Sequence, residues 1–375
     1  MPNGECPGNI APPPDTTSNN IFVNNTITGN TTDTTARGNG IFVTAGSSGC
    51  PANLSPGGVV HNAIGYFFLN TNISISRLFY DSNPDTLGNS AGNNTEDQKE
   101  KFDFISLPGN NALLPAWGGN TITLNYGHGI LFGPSPRTVK TGRIYYNDIY
   151  GNTIISNKKD GIHFTGYRNL VSGFNFLKYN DIIKNAIQSS QKGIYASASV
   201  YSRILGNAVD GNSVAGIQIE NTVYNSESNY EYVEIGHASS CSAAKCTAIE
   251  SGGVAGIDYW NNLQSNGALG SGSQGIGVLT SNFTRVVKNN ILIHDYPIYV
   301  DTSSNVKIDS NNINKVSTDN NVYGVYFKNS PQLSLTSNLI NNFTKYGVKG
   351  FQSNTATLEN NTIRYGKVGS IGLVI

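Results

Sequence analysis

Two short phrases alternate between residues 289 and 363, and this repeat constrains the fold more than any other feature. The first phrase has four copies, Asn289-Asn290-Ile291, Asn311-Asn312-Ile313, Asn338-Leu339-Ile340 and Asn361-Thr362-Ile363. Their isoleucines are 22, 27 and 23 residues apart. The second phrase is a short apolar strand at Tyr296–Val300, Tyr323–Phe327 and Tyr346–Val348. Two strand phrases with a period of about 25 residues predict a stacked repeat, because each repeat buries its apolar face on the next.

Earlier copies extend the repeat over almost the whole chain. Gly-Ile phrases begin at Gly40, Gly129, Gly161, Gly193, Gly216, Gly256 and Gly275. The repeat is lost between about residues 81 and 120, which we interpret as an insertion, and residues 1–18 read as a flexible N-terminal segment. No stretch keeps a 3.6-residue period, so we expect short parallel strands and almost no helix. A second, larger loop is expected from Val223 to Cys246.

Together the two phrases resemble the repeats of right-handed parallel β-helix proteins of the pectate-lyase-like superfamily. The short-repeat subset found in carbohydrate-binding modules and NosD-like proteins is the most similar. The resemblance covers residues 19–80 and 122–375, and it implies one all-β domain over residues 19–375: a single-stranded right-handed parallel β-helix, or solenoid, with a long loop insertion. Because its members include lyases, hydrolases, epimerases, tailspikes and adhesins, it leaves the function open. It also implies an internal asparagine ladder, expected at Asn25, Asn152, Asn180, Asn207, Asn290, Asn312 and Asn361.

The amino-acid composition limits the classes of binding partner and the cellular location that we expect. Lys+Arg and Asp+Glu balance at 24 each, which argues against a nucleic-acid partner, because phosphate binding needs clustered positive charge. No apolar run is long enough to span a membrane. The first residues have no signal-peptide character, so a cytosolic protein is one interpretation. The low charge and the wealth of Ser, Thr, Asn and Gly favour an extracellular or cell-surface segment.

Four cysteines permit three pairings. We expect Cys6 to pair with Cys50 and Cys241 with Cys246, and free buried thiols are the alternative. A zinc site at these cysteines is not favoured, because no CxxC pair is present.

Strand alternation predicts two outward columns on the stacked Gly-Ile strands. The first contains His163, Tyr195, Gln218, Asp258, Gly277, Tyr299, Tyr326 and Lys349, and the second Thr165, Ser197, Glu220, Trp260, Leu279, Asp301 and Lys328. Aromatic rings suit the apolar faces of sugars, and carboxylates and amides bind hydroxyl groups. We therefore predict binding of a polysaccharide, from a plant cell wall or a bacterial surface. The predicted contacts are His163, Tyr195, Gln218, Trp260, Tyr299 and Tyr326, with Trp117 as an anchor in the insertion.

Catalysis has weaker support in the sequence. A glycosidase needs two or three convergent carboxylates, for which Glu220, Asp258 and Asp301 are the candidates. A lyase needs a base beside acidic calcium ligands, but Lys328 and Lys349 have no acidic cluster near them in the sequence. His294-Asp295 is either an acid/base pair or a simple turn. No cofactor or metal site is predicted, with Ca²⁺ as the one ion the resemblance admits. The leading hypothesis is an adhesin or attachment domain, ahead of a polysaccharide lyase or hydrolase and of a structural spacer.

Overall fold

A computed structural model describes the chain in seventeen segments, and everything said below about structure refers to them. They are residues 16–18, 21–22, 25–30, 38–43, 58–60, 63–64, 119–133, 143–145, 147–166, 177–178, 181–183, 185–198, 202–222, 233–236, 261–266, 272–314 and 323–375. In these segments every regular element is a β-strand. The expected absence of helix is therefore confirmed for this part of the chain.

The strands are short and follow one another at close intervals. The first sixteen are β1 (Thr16–Ser18), β2 (Ile21–Phe22), β3 (Thr26–Thr28), β4 (Ile41–Val43), β5 (Gly58–Val60), β6 (Ala63–Ile64), β7 (Thr121–Thr123), β8 (Ile130–Phe132), β9 (Arg143–Tyr145), β10 (Asp148–Tyr150), β11 (Thr153–Ile155), β12 (Ile162–Thr165), β13 (Leu177–Lys178), β14 (Asp181–Ile183), β15 (Ala186–Gln188) and β16 (Lys192–Ser197). The others are β17 (Arg203–Leu205), β18 (Ala208–Asp210), β19 (Ala215–Glu220), β20 (Val233–Ile235), β21 (Asn262–Gln264), β22 (Gln274–Leu279), β23 (Thr284–Val287), β24 (Asn290–Leu292), β25 (Tyr296–Asp301), β26 (Lys307–Asp309), β27 (Asn312–Asn314), β28 (Tyr323–Lys328), β29 (Ser334–Thr336), β30 (Leu339–Asn341), β31 (Tyr346–Phe351), β32 (Thr357–Glu359), β33 (Thr362–Arg364) and β34 (Ile371–Val374).

These strands form a parallel β-helix of ten coils, in which a coil is one circuit of the chain through the sheets. Sheet B (β2 to β32), sheet C (β3 to β33) and sheet D (β4 to β34) each contain ten strands, one from every coil. Sheet A adds β1, β5, β9 and β13 in the first four coils. Every strand pair is parallel, and equivalent residues of successive coils pair in register, as Ile154 does with Ile187. Each coil is its own crossover, so parallel strands form without connecting helices.

Stacked apolar side chains fill the interior. On sheet C, one buried residue per coil forms a column that includes Ile122, Ile154, Ile187, Val209 and Leu263. On sheet D, the rings of Phe132 and Phe164 stack with centroids 4.7 Å apart. Burying this apolar surface is the main source of stability for such a fold.

An asparagine ladder runs along the corner between sheets B and C. In each step the side-chain Nδ2 of one Asn donates to Oδ1 of the Asn in the next coil, as Asn289 does to Asn311 at 2.9 Å. The members are Asn25, Asn120, Asn152, Asn185, Asn207, Asn261, Asn289, Asn311, Asn338 and Asn361.

The predicted ladder is correct in type and wrong at two of its positions. Asn290 and Asn312 are strand residues that point outward, and the buried members are the asparagines just before them. The ladder residue lies two positions before the buried isoleucine, so an Asn adjacent to that isoleucine has the opposite orientation. The coil with the expected Asn180 contributes Asn185 instead, and Asn180 lies outside the described residues.

Two predicted boundaries also shift. Asn120, assigned to the insertion, belongs to the ladder and directly precedes β7. The expected loop Val223–Cys246 contains β20, which pairs with β17 and β23 in sheet B. The four cysteines lie outside the described residues, so their pairing stays a prediction.

Candidate functional site

The outer face of sheet D brings together the polar and aromatic side chains that the sequence singles out. Its first column includes His163, Tyr195, Gln218, Gly277, Tyr299, Tyr326 and Lys349, in the predicted order except at one point. There, β19 pairs directly with β22, so that Gln218 is next to Gly277 and Glu220 is next to Leu279.

The placement of Asp258 and Trp260 between these strands is therefore wrong. The Gly256-Ile257 phrase matches the repeat by sequence, but no strand separates β19 from β22. Asp258, Trp260 and Trp117 themselves lie outside the described residues, and their predicted roles stay predictions.

A third column on this face was missed by the sequence reasoning. It consists of the residues two positions before the buried apolar residue of each strand, such as Lys192, Gln274 and Tyr296. Simple alternation would turn these residues inward. However, the intervening residue, a glycine in most strands and Pro297 in one, also faces the interior: a Cβ on Gly193 would meet Val209 Cγ1 in the core. Because this residue and the next both face the interior, the residue before them returns to the outer face.

Five tyrosines in three successive coils form what we call the tyrosine patch: Tyr296, Tyr299, Tyr323, Tyr326 and Tyr346. In the third column, Tyr296 and Tyr323 stack at 4.7 Å, and Tyr323 and Tyr346 stack at 5.6 Å between ring centroids. In the first column, Tyr299 and Tyr326 stack at 5.6 Å. Edge-to-face contacts of 5.4 and 5.3 Å join the two columns within a coil.

This stacking changes what the patch offers to a ligand. Successive rings cover one another's faces along the coil axis, so the patch presents ring edges and hydroxyl groups. The sequence predicts ring faces that are free for sugar packing, whereas in these stacked pairs each ring covers one face of its neighbour. Burial raises the pKa of Tyr296 to about 12, so its hydroxyl remains protonated and can donate a hydrogen bond.

Lysines surround the tyrosine patch. Lys349 Nζ lies 4.8 Å from the ring centroid of Tyr346, and Lys345 Nζ lies 5.6 Å from that of Tyr323. Lys328 forms an ion pair of 3.0 Å with Asp301. The hydrogen bonds to Asp301 and Tyr299 raise the pKa of Lys328. Three positive charges against one carboxylate make this part of the face attractive to anionic groups.

A second group of side chains, which we call the histidine cluster, lies in earlier coils of the same face. It comprises His128, Asp160 and His163, whose candidate ligand atoms lie within 4.8 Å of one another. His163 Nδ1 is 2.6 Å from Asp160 Oδ2, and His163 Nε2 is 2.6 Å from Thr165 Oγ1. The rings of His128 and His163 are in contact, with centroids 4.2 Å apart.

Burial sets the protonation of this cluster. It lowers the pKa of His128 from its ordinary 6.5 to about 3, and the charge of His163 adds to the effect. Burial alone would raise the pKa of Asp160, but the hydrogen bond and charge of His163 outweigh it, and that pKa is lowered. At neutral pH the cluster therefore contains a neutral His128 and an ionised Asp160.

Two of the predicted sugar contacts near this cluster, Tyr195 and Gln218, form hydrogen bonds to the same carboxylate. Tyr195 donates its hydroxyl to Glu220 at 2.9 Å, and the amide of Gln218 donates to the same carboxylate oxygen at 3.1 Å. Burial raises the pKa of Tyr195 to about 12. Gln218 is only 8% exposed, so little of its side chain is open to a ligand, and its role as a sugar contact stays a prediction.

The candidate catalytic carboxylates are spread along the face. Glu220 and Asp301 share one column with Leu279 between them, two strand spacings or roughly 10 Å apart. Asp301 is paired with Lys328, and Asp258 is not described. The structure thus does not bring Glu220 and Asp301 into contact, and the predicted role of Asp258 stays a prediction.

His294-Asp295 is a structural pair. His294 is fully buried and accepts hydrogen bonds at Nε2 from Asn266, at the end of a second side-chain ladder that includes Asn212. Asp295 Oδ2 accepts the backbone N–H groups of Gly272 and Ser273 at 2.9 and 3.2 Å. Of the two interpretations of this dipeptide, the structure supports a corner of the coil.

The missed residues had a signal in the sequence. His128 and Asp160 each lie two residues before a Gly-Ile isoleucine, as Tyr296, Tyr323 and Tyr346 each lie two residues before a buried apolar residue. Aligning the phrases at that position would have placed all five in one column. The sequence did not show that two successive residues of each strand face the interior.

Residues 274–374 match a family model described as "Right handed beta helix region". The fold is a right-handed parallel β-helix. This confirms the prediction from the repeats, whereas the short-repeat subset stays a prediction.

The comparison with solved structures finds similar chains at low identity. The periplasmic alginate epimerase AlgG is 13% identical, with 64% of this chain and 55% of that chain covered and a TM-score of 0.37. A single mutant of the same epimerase is 12% identical, with 88% and 64% covered and a TM-score of 0.34. The chain thus spans between 55% and 64% of the length of these two proteins. No curated protein matches the sequence. Among the described residues, no helix has the length and hydropathy to cross a membrane.

Proposed function

We propose that the outer face of sheet D binds an extended polysaccharide, as an attachment domain outside the cytoplasm. The observation that carries the proposal is the tyrosine patch: one or two tyrosines per coil in three successive coils. Stacked coils repeat at about 4.8 Å, so the patch offers a regular series of phenol hydroxyls. A regular series of donors and acceptors suits a polymer with repeating hydroxyl groups better than it suits a small metabolite.

The surrounding charges favour an acidic polysaccharide. Lys345 and Lys349 contact the rings of the patch, whereas Asp301 forms its ion pair with Lys328. Ammonium groups bind carboxylates through charge-assisted hydrogen bonds. We expect binding to weaken as salt is raised, because exposed charges are screened.

The test is affinity electrophoresis on a panel of neutral and uronic-acid polysaccharides. We expect retardation by at least one acidic polymer. In the double variant Tyr299→Phe/Tyr326→Phe, each lost hydrogen bond contributes about 1 kcal/mol, so Kd should rise roughly 25-fold. Phenylalanine keeps the ring stacking, which separates the hydroxyl from the packing.

Tyr365→Phe is the matched control, because Tyr365 is 68% exposed and follows β33 in sheet C, outside the patch. It should bind like the unmodified protein. Failure of every polymer to retard the protein, or equal binding by the double variant, would overturn the proposal. Release of reducing or unsaturated sugars would instead favour the lyase or hydrolase alternative, and neither binding nor turnover would favour a spacer.

A further inference from the structure

We propose that His128, Asp160 and His163 form a binding site for one divalent transition-metal ion of the zinc type. Two imidazoles and one carboxylate converge from two successive coils on the outer face of sheet D. The site is separate from the tyrosine patch: its strands β8 and β12 are four or more strands away from β25.

The geometry is close to what such an ion requires. Asp160 Oδ2 lies 2.6 Å from His163 Nδ1 and 3.6 Å from His128 Nδ1. A tetrahedral ion with bonds of about 2.1 Å holds its ligand atoms roughly 3.4 Å apart. Small side-chain rotations therefore suffice, and His163 has room to make them, because its side chain is 19% exposed.

Neighbouring groups hold each ligand in place, as outer-shell partners do in metal sites. Asp160 Oδ1 accepts the backbone N–H of Lys192 at 3.1 Å, which leaves Oδ2 directed at the histidines. The backbone N–H of His128 donates to Asn39 Oδ1 at 2.8 Å. When His163 binds the ion through Nδ1, its ring hydrogen resides on Nε2 and is donated to Thr165 Oγ1, 2.6 Å away.

Two existing contacts must be given up on binding. The backbone N–H of Asp160 lies 3.2 Å from His128 Nδ1, and the ion replaces this long hydrogen bond. The hydrogen bond between His163 and Asp160 is also replaced, by two bonds to the ion.

The donor set selects the class of metal. Imidazole nitrogen suits zinc, cobalt, nickel and copper, whereas calcium takes six to eight oxygen ligands. The three side chains supply one carboxylate, so the site does not fit the Ca²⁺ that the family resemblance admits. Three protein ligands leave a coordination position for water or for a group of a bound ligand.

The experiment is a titration of metal-stripped protein with Co²⁺ and Zn²⁺, after alkylation of any free cysteine so that thiolates cannot bind. We expect one ion per chain, with the visible bands of four- or five-coordinate cobalt. His128→Gln and His163→Gln should each lower the affinity at least 100-fold. Thr165→Val, which removes only the positioning hydroxyl, should lower it about tenfold. Ca²⁺ should give no binding at the same concentrations.

His294→Asn is the matched control, because it removes a buried histidine far from the cluster in the fold. It should bind the ion like the unmodified protein, and circular dichroism without metal checks that every variant is folded. If one histidine variant is unfolded, the other decides. Absence of stoichiometric binding, or binding that survives in a folded His128→Gln or His163→Gln variant, overturns the proposal.

Discussion

At the residue scale, His294 shows how the ladder tolerates one substitution at a measurable cost. Asparagines occupy the preceding steps at Asn212 and Asn266, and the imidazole Nε2 replaces an amide oxygen as the acceptor. Its Nδ1 is buried without a hydrogen-bond partner. Burial lowers the pKa of His294 from 6.5 to about 3, because the charged ring would lose its hydration.

This shift predicts a pH-dependent stability. Between about pH 3 and 6.5 the unfolded chain binds a proton at residue 294 that the folded chain excludes, so the free energy of unfolding should increase with pH. The contribution approaches about 1.4 kcal/mol per pH unit within that range and is constant above it. His294→Asn should restore an amide acceptor and remove this contribution to the slope.

Urea unfolding of both proteins across this pH range measures the effect. The difference between them isolates His294 from His128 and from the carboxylates, which titrate in both. Parallel pH profiles for the two proteins would contradict the assignment.

At the element scale, the asparagine ladder carries the sharpest stability prediction. Asn289 is fully buried, and its Nδ2 donates to Asn311 Oδ1, Ile235 O and Val287 O. Asn289→Ala leaves these buried acceptors with fewer partners, so we expect a loss of about 3 kcal/mol in the free energy of unfolding. Asn290, the next residue, makes two side-chain hydrogen bonds on the outer face: it donates to Asn262 Oδ1 at 3.1 Å and accepts from Asn312 Nδ2 at 3.0 Å. Because this residue is only half-buried, Asn290→Ala should lower the free energy of unfolding by no more than about 1 kcal/mol.

Chemical denaturation of the two single variants compares adjacent, chemically identical residues. Equal losses of unfolding free energy in the two variants would show that the inward orientation of Asn289 does not determine its contribution to stability.

The two asparagines also show the limit of prediction from the sequence. The repeat identified the ladder, but the period alone did not distinguish the buried Asn from its outward neighbour.

At the scale of the whole molecule, the sequence was sufficient for the architecture and for most of one outer column. Regular spacing of Gly-Ile phrases predicts stacked coils because each coil repeats the same short strands. Two features of the structure could not be predicted from the sequence. The Gly256-Ile257 phrase matches the repeat in sequence, but β19 pairs directly with β22. At the recurring glycine position of the coils, such as Gly193, a second successive residue faces inward, so that an extra column turns outward. His128, Asp160 and three of the five tyrosines of the patch belong to that column.

The central claim is that a polysaccharide lies along the tyrosine patch, and hydroxyl-radical footprinting with mass spectrometry tests it most directly. Tyrosine rings are oxidised where solvent reaches them, so a bound polymer protects the rings that it covers. With the polymer that retards the protein, we predict slower oxidation of Tyr299, Tyr326 and Tyr346 and an unchanged rate at Tyr365. Unchanged oxidation across the patch, or equal protection of Tyr365, would contradict the account.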